Sequence, residues 1–199
     1  MTKTPLSALS DFYGRAFAAV PDEYNRAMRR FLSDLRRSED AYREEVVAQR
    51  SKLGVPAEYR DTPDVERYSL AIQIFAAMTV EAGISYYAVM RFGGELHDDH
   101  FRWGSAEERL KRALTHAGIS YQDDAELFAV IGRRKTARDC IVHPFSAEYA
   151  GPTEDSRMPD RPWPDASAVA ARRAVADVDR FFLLLRDIDE TTSSLLHMF

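Results

Sequence analysis

Apolar residues recur at helical spacing along most of the chain, and their arrangement changes from segment to segment. Residues 5–19 form a short, mildly amphipathic segment that ends near Val20-Pro21. Over 22–53 a single apolar stripe is flanked by clusters of charged residues, which predicts a long surface helix. The stripe consists of Tyr24, Met28, Phe31, Leu35, Tyr42 and Val46.

The next segment, 64–92, is apolar on all sides, unlike the one-sided stripes elsewhere in the chain. Residues 69–90 have about the length of a membrane span, but Gln73 and Glu81 interrupt them. A carboxylate near mid-span costs roughly 2.5–3.5 kcal/mol on insertion scales. We therefore predict a buried core helix and no membrane association.

Turn and capping residues give the bounds of the helices. Thr62-Pro63 supplies an N-cap and a first-turn proline, and Gly93-Gly94 ends the apolar helix. A capping-box pattern at Ser105 begins a shorter helix. Three further signals are a stop at Gly118, a start at Asp123-Asp124 and a cap at Asp165 for the last helix.

No segment alternates strictly enough to predict a half-buried strand. The fold class is therefore all-α, an up-and-down bundle of about five or six helices. We divide the chain into an N-terminal helical extension (1–62), a helical bundle (63–190) and a C-terminal tail (191–199). A loop of about twenty residues after His143 is too rich in Pro, Gly and polar residues for regular structure.

Composition limits the classes of function. The formal net charge of −5 excludes a general nucleic-acid coat, because non-specific binding needs many Lys and Arg facing phosphates. The single cysteine, Cys140, cannot form an internal disulfide, and the N-terminal residues lack the apolar run of a signal peptide. We expect a cytoplasmic protein.

The stretch RDCIVHPF, 138–145, carries the candidate chemistry. An arginine can offer two planar donors to a phosphate, and a histidine can exchange a proton near neutral pH. Pro144 disfavours helical geometry at His143, so we expect the helix to end there and the imidazole to turn back toward Arg138. Asp139 could then accept a hydrogen bond from the imidazole and set its tautomer.

Arg134 and Arg138 interrupt the apolar face of the same helix. A buried guanidinium needs a partner, so each must reach solvent at the edge, line a cleft or pair with a carboxylate such as Glu81. Together with Arg133 and Lys135 they form the most positive segment of an acidic chain. This predicts phosphate or RNA binding by Arg133, Arg134 and Lys135, with Glu81 in support.

Two other groups are candidates for chemistry. The segment HDDH, 97–100, has the residue types of metal ligands, but the glycines on either side indicate a solvated loop. Cys140 lies at the flank of the apolar face, where a small core residue is the simpler interpretation than a nucleophile. The sequence therefore predicts neither a metal site nor a cofactor.

The order of these features resembles the HEPN superfamily of helical domains. The resemblance rests on an apolar helix with a central glutamate (FAAMTVEAGISYYAVM), a shorter helix (AEERLKRALTHAG) and a helix that ends in RDCIVHP. It covers roughly residues 64–190. Nuclease members carry Arg, four to six residues and His, with a polar residue directly after the arginine; here these places hold Arg138, Asp139 and His143.

The resemblance implies a metal-independent endoribonuclease, often a homodimer that joins two motifs in one cleft. It also implies a place in toxin–antitoxin or antiviral systems, with an antitoxin or a nucleotidyltransferase as partner. His143 would be the acid–base group and Arg138 the stabiliser of charge on phosphorus. Non-catalytic members that bind nucleotides or proteins share the scaffold, so such a module is the alternative expectation.

Overall fold

A computed structural model of the chain shows an all-α protein, as the sequence predicts. The structure describes residues 5–53, 62–94, 97–121, 124–142 and 165–189, the first fifteen of these for their backbone alone. No strand is found in these ranges. Their helices are α1 (Pro5–Leu53), α2 (Pro63–Phe92), a π-helical turn (His97–Phe101), α3 (Ala106–His116), α4 (Ala125–Val142) and α5 (Ala168–Ile188).

Helix α2 is the central helix of the bundle. It contacts every other element, and its buried residues lie on all sides, from Val65 to Val89. This confirms the prediction that 64–92 is the most buried helix. Within the described ranges it is also the one helix long and apolar enough to cross a membrane, and half of its most apolar window is buried inside the protein.

Helix α1 is longer than the sequence predicts. It runs unbroken through Pro21, where two separate segments were expected. A proline inside a helix removes one backbone hydrogen bond, but its fixed φ is compatible with the helix. Downstream, Met28 and Leu35 are fully buried in the same core as α2 and α5, and this packing outweighs one missing bond. The division of the chain after residue 62 stays a prediction.

Contacts between helices give their directions. Tyr24 packs on Phe75 and Phe31 on Tyr68, each with ring centroids 6.2 Å apart, so α1 and α2 are antiparallel. Helices α4 and α5 are also antiparallel. Arg180 of α5 binds Glu126 near the start of α4, whereas Asp177, earlier on α5, binds Arg133, later on α4. Ser69 of α2 binds Ser167 at the start of α5 and Tyr87 binds Asp189 at its end, so α2 and α5 are parallel. The four long helices therefore alternate in direction along the chain, as in an up-and-down bundle, with α3 packed against α2 and α4.

Most predicted caps are present. The Thr62 side chain accepts a hydrogen bond from the backbone of Val65, and Ser105 forms a complete capping box with Glu108. The cap of the last helix was predicted wrongly. Ser167 caps α5, while Asp165 accepts a hydrogen bond from the Ser167 backbone N–H at 2.9 Å.

Helices α2 and α5 approach closely at Gly83. A Cβ atom at this position would lie 2.8 Å from Cζ of Phe182, whereas a Cβ at Gly132 on α4 would meet nothing within 4 Å. Gly83→Ala should therefore lower the free energy of unfolding by about 1–3 kcal/mol through overpacking. Gly132→Ala should raise it by about 0.4–1 kcal/mol.

Urea unfolding of both variants measures this difference. Each substitution adds one methyl group to a helical glycine, so the two share the gain in helix propensity and differ in packing. Stabilisation of equal size in both variants would contradict the close contact between α2 and α5.

Candidate functional site

Arg138 lies where α4 crosses the middle of α2, and two carboxylates hold its guanidinium. Nη1 donates to Glu81 of α2, while Nε and Nη2 donate to Oδ1 of the adjacent Asp139 at 3.1 and 2.8 Å. The Arg138 side chain is 26% exposed. The expected pairing of Glu81 with an arginine of the apolar face is therefore confirmed, with Arg138 as the partner.

The pairing favours the charged form of Arg138. Burial lowers its pKa, but the hydrogen bonds and charges of Asp139 and Glu81 outweigh burial and raise the pKa above its ordinary value. Lys135 lies one turn earlier on α4, with Nζ 3.7 Å from Oδ2 of Asp139. The Lys135 side chain is 53% exposed.

A further arginine, Arg109 of α3, reaches the same cluster. Its Nη1 donates to the Ser85 hydroxyl at 2.8 Å, one turn after Glu81 on α2. Burial lowers the pKa of Arg109, and the nearby charge of Glu81 opposes that shift. Sequence reasoning missed this residue, because Arg109 looks like one of several charged residues on a short amphipathic helix.

The cluster is formed by three helices and carries a net positive charge. Its cations are Arg109, Lys135 and Arg138, and its carboxylates are Glu81 and Asp139. The three positive and two negative charges leave an excess of one positive charge. Such a site can bind a phosphate when a carboxylate moves away from a guanidinium.

Arg133 and Arg134 lie apart from this cluster, on either side of the α5 carboxylate Asp177. Nη2 of Arg133 donates to Oδ1 at 2.7 Å, and Nε of Arg134 lies 2.9 Å from Oδ2. The Arg134 side chain is 7% exposed, and burial lowers its pKa, partly offset by Asp177. A phosphate could reach Arg134 only if the contact between α4 and α5 opened, whereas Arg133 is 45% exposed.

His143 lies outside the described residues, and α4 is described as far as Val142. The expected return of the imidazole toward Arg138, and its hydrogen bond with Asp139, therefore stay predictions. The structure shows that the Asp139 carboxylate binds the Arg138 guanidinium.

The other candidate groups occupy different places. Residues 97–101 form a π-helical turn where a loop was expected, and no group of three metal-ligating side chains is found within the described ranges. His100 lines a cleft of about 520 Å³ together with residues of α3, among them Lys111 and His116. Cys140 is half-buried.

Comparison of the chain with family models, with curated proteins and with solved structures finds no match. A function for the cluster can therefore be argued only from its own residues and from the sequence motif that Arg138 and Asp139 form with His143.

Proposed function

We propose that the protein is a metal-independent endoribonuclease of the HEPN type, which cleaves RNA by attack of the ribose 2′-hydroxyl on the adjacent phosphate. One observation carries the proposal: Arg138 is held at the partly exposed edge of α4, five residues before His143, by carboxylates on both sides. A guanidinium held in this way can offer two donors to a phosphate once one of the carboxylates is displaced.

The residues supply what the reaction needs. His143 removes the proton from the 2′-hydroxyl or protonates the leaving 5′-oxygen, and Arg138 stabilises the charge that develops on phosphorus. Lys135 and the exposed Arg133 add positive charge along the path of the RNA backbone. Since the RNA supplies the nucleophile, no step requires a metal or a cofactor.

The partners and setting are part of the same proposal. A homodimer would bring two motif helices to one cleft, and a toxin or antiviral effector would need an antitoxin or a nucleotidyltransferase to restrain it. We expect the protein to work in the cytoplasm. A monomer at micromolar concentration in light scattering would count against the shared cleft.

A specific observation also favours the alternative of a non-catalytic HEPN-like module that binds a nucleotide or a protein. Both terminal nitrogens of Arg138 already bind carboxylates, as expected of an arginine whose task is to join α2 and α4. In that case the motif would stabilise the bundle, and RNA would be left intact.

The test is incubation of the purified protein with mixed RNA in EDTA. The proposal predicts cleavage that persists in the chelator and products with a 2′,3′-cyclic phosphate and a 5′-hydroxyl, which end-labelling by kinase and phosphatase treatment can identify. Intact RNA under all conditions, including after removal of any bound partner, would favour the binding module.

A further inference from the structure

The guanidinium of Arg109 is half-buried and is held by a neutral side chain. Its Nη1 binds the neutral hydroxyl of Ser85, and its buried Nε has no hydrogen-bond partner. Within the part of the chain that the structure describes, no ion pair joins Arg109 to a carboxylate. Even partial burial of a guanidinium without a carboxylate carries a desolvation cost, and a carboxylate that came within reach would reduce it.

In contrast to Arg109, Arg138 has two carboxylates bound to its guanidinium. A phosphate that binds it through two donors must first displace one of these carboxylates. Asp139 is adjacent in sequence and stays close to Arg138. Glu81 comes from another helix and holds Arg138 through Nη1 alone, so Glu81 is the carboxylate to be displaced.

A displaced Glu81 carboxylate has a second cation within reach. Ser85 lies one turn after Glu81 on α2 and holds the Arg109 guanidinium beside that turn. Glu81 is half-buried and already interacts with the charge of Arg109. A change of side-chain rotamer at Glu81 would move the carboxylate from the Arg138 side toward Arg109 without movement of a helix.

We propose that Arg109 is a second partner for Glu81: a phosphate that binds Arg138 displaces the Glu81 carboxylate, which then pairs with Arg109. The inference deepens the proposed function and rests on it, because the phosphate is that of the RNA backbone. Arg109 is a positioning residue in this exchange. It keeps Glu81 away from the phosphate and leaves Arg138 free to bind.

The test is a double-mutant cycle on binding of a short fluorescein-labelled single-stranded oligodeoxynucleotide, measured by fluorescence anisotropy. This probe has the phosphates of RNA but no 2′-hydroxyl, so it cannot be cleaved. Arg109→Gln should weaken binding about 10-fold, because the displaced Glu81 then lacks a partner. In the Glu81→Gln background, where no carboxylate is displaced, the same change should weaken binding less than about 2-fold.

Two further variants control for charge and fold. Arg112 lies one turn after Arg109 on α3, is exposed, and binds the backbone carbonyl of Trp103. Arg112→Gln removes the same charge and should have an equally small effect in both backgrounds. Arg109→Lys should keep most of the affinity, since an ammonium can also pair with Glu81, and circular dichroism checks that each variant is folded.

The effect of Arg109→Gln in the two backgrounds shows whether Glu81 moves to Arg109. Equal loss on Arg109→Gln in both backgrounds would mean that Arg109 contacts the phosphate itself, and no loss in either would mean that Glu81 does not move; both overturn the exchange. Absence of binding by the wild-type protein overturns it as well. Binding that shows the expected coupling, without any cleavage of RNA, would sustain the exchange while the ribonuclease proposal fails.

Discussion

Replacing His143 by alanine should lower the rate of RNA cleavage by roughly 10²–10⁴-fold, which is the usual contribution of a positioned proton-transfer group. Since Pro144 disfavours helical geometry at the residue before it, we expect His143 to lie outside the helical core and the substitution to leave the fold intact. His100→Ala is a matched control. That histidine is exposed and lines the cleft beside α3, and no residue of the cluster around Arg138 is among the residues that line this cleft, so its loss should leave cleavage unchanged.

Arg138 should be as important, for a different reason. Arg138→Ala should abolish most of the cleavage, and Arg138→Lys should not fully restore it, because an ammonium cannot reproduce the planar two-donor contact with a phosphate. Initial rates on one RNA in EDTA, with all variants purified in parallel, measure these effects. Equal cleavage by the wild-type protein and His143→Ala would show that a contaminating nuclease causes the activity.

Asp177→Ala should lower the free energy of unfolding by about 3–5 kcal/mol, the largest effect on stability that we expect. Asp177 is 6% exposed and is the carboxylate between Arg133 and the buried Arg134. Without it, Arg134 keeps its charge in the interior and has no other ion-pair partner among the described residues. The cost of that buried charge is the reason for the large loss.

Asp179 on the same helix provides the control. It pairs with Arg29 of α1 at 2.6 Å, but both side chains are about half exposed, at 51% and 44%. Exposed ion pairs contribute little, so Asp179→Ala should cost less than about 1 kcal/mol. Similar losses in the two variants, measured by urea unfolding, would show that the Asp177 pair is not buried in solution.

A second variant tests the mechanism of the loss at Asp177. The combination Asp177→Leu with Arg134→Met removes both charges and fills the space with apolar atoms, so most of the stability should return. If the double variant is as unstable as Asp177→Ala, the loss comes from packing around the carboxylate and not from the unpaired charge of Arg134.

The sequence predicts the helices well because their signals are local. Thr62 and Ser105 cap their helices through hydrogen bonds to backbone N–H groups three residues later, so the partner lies within the same short segment. The break that was expected at Pro21 is wrong because distant packing decides there. Pro21 does not end α1, because burial of Met28 and Leu35 against the bundle holds the long helix together.

The candidate site was predictable in part. The cost of a lone charge in an apolar face is a general property, and it was enough to expect that Glu81 would bind an arginine of α4. Arg134 could not be separated from Arg138 in this way, because both interrupt the same face. Only the tertiary structure assigns Arg138 to Glu81 and Arg134 to Asp177 of α5.

By itself, the sequence determined the helical class and most helix ends, because periodicity and caps are properties of short segments. The tertiary structure alone decided which charges meet. Glu81 and Arg138 are 57 residues apart, and Arg109 and Ser85 are 24 apart. Such pairs form only when packing of apolar faces fixes how α2, α3 and α4 cross, and that packing depends on the whole core at once.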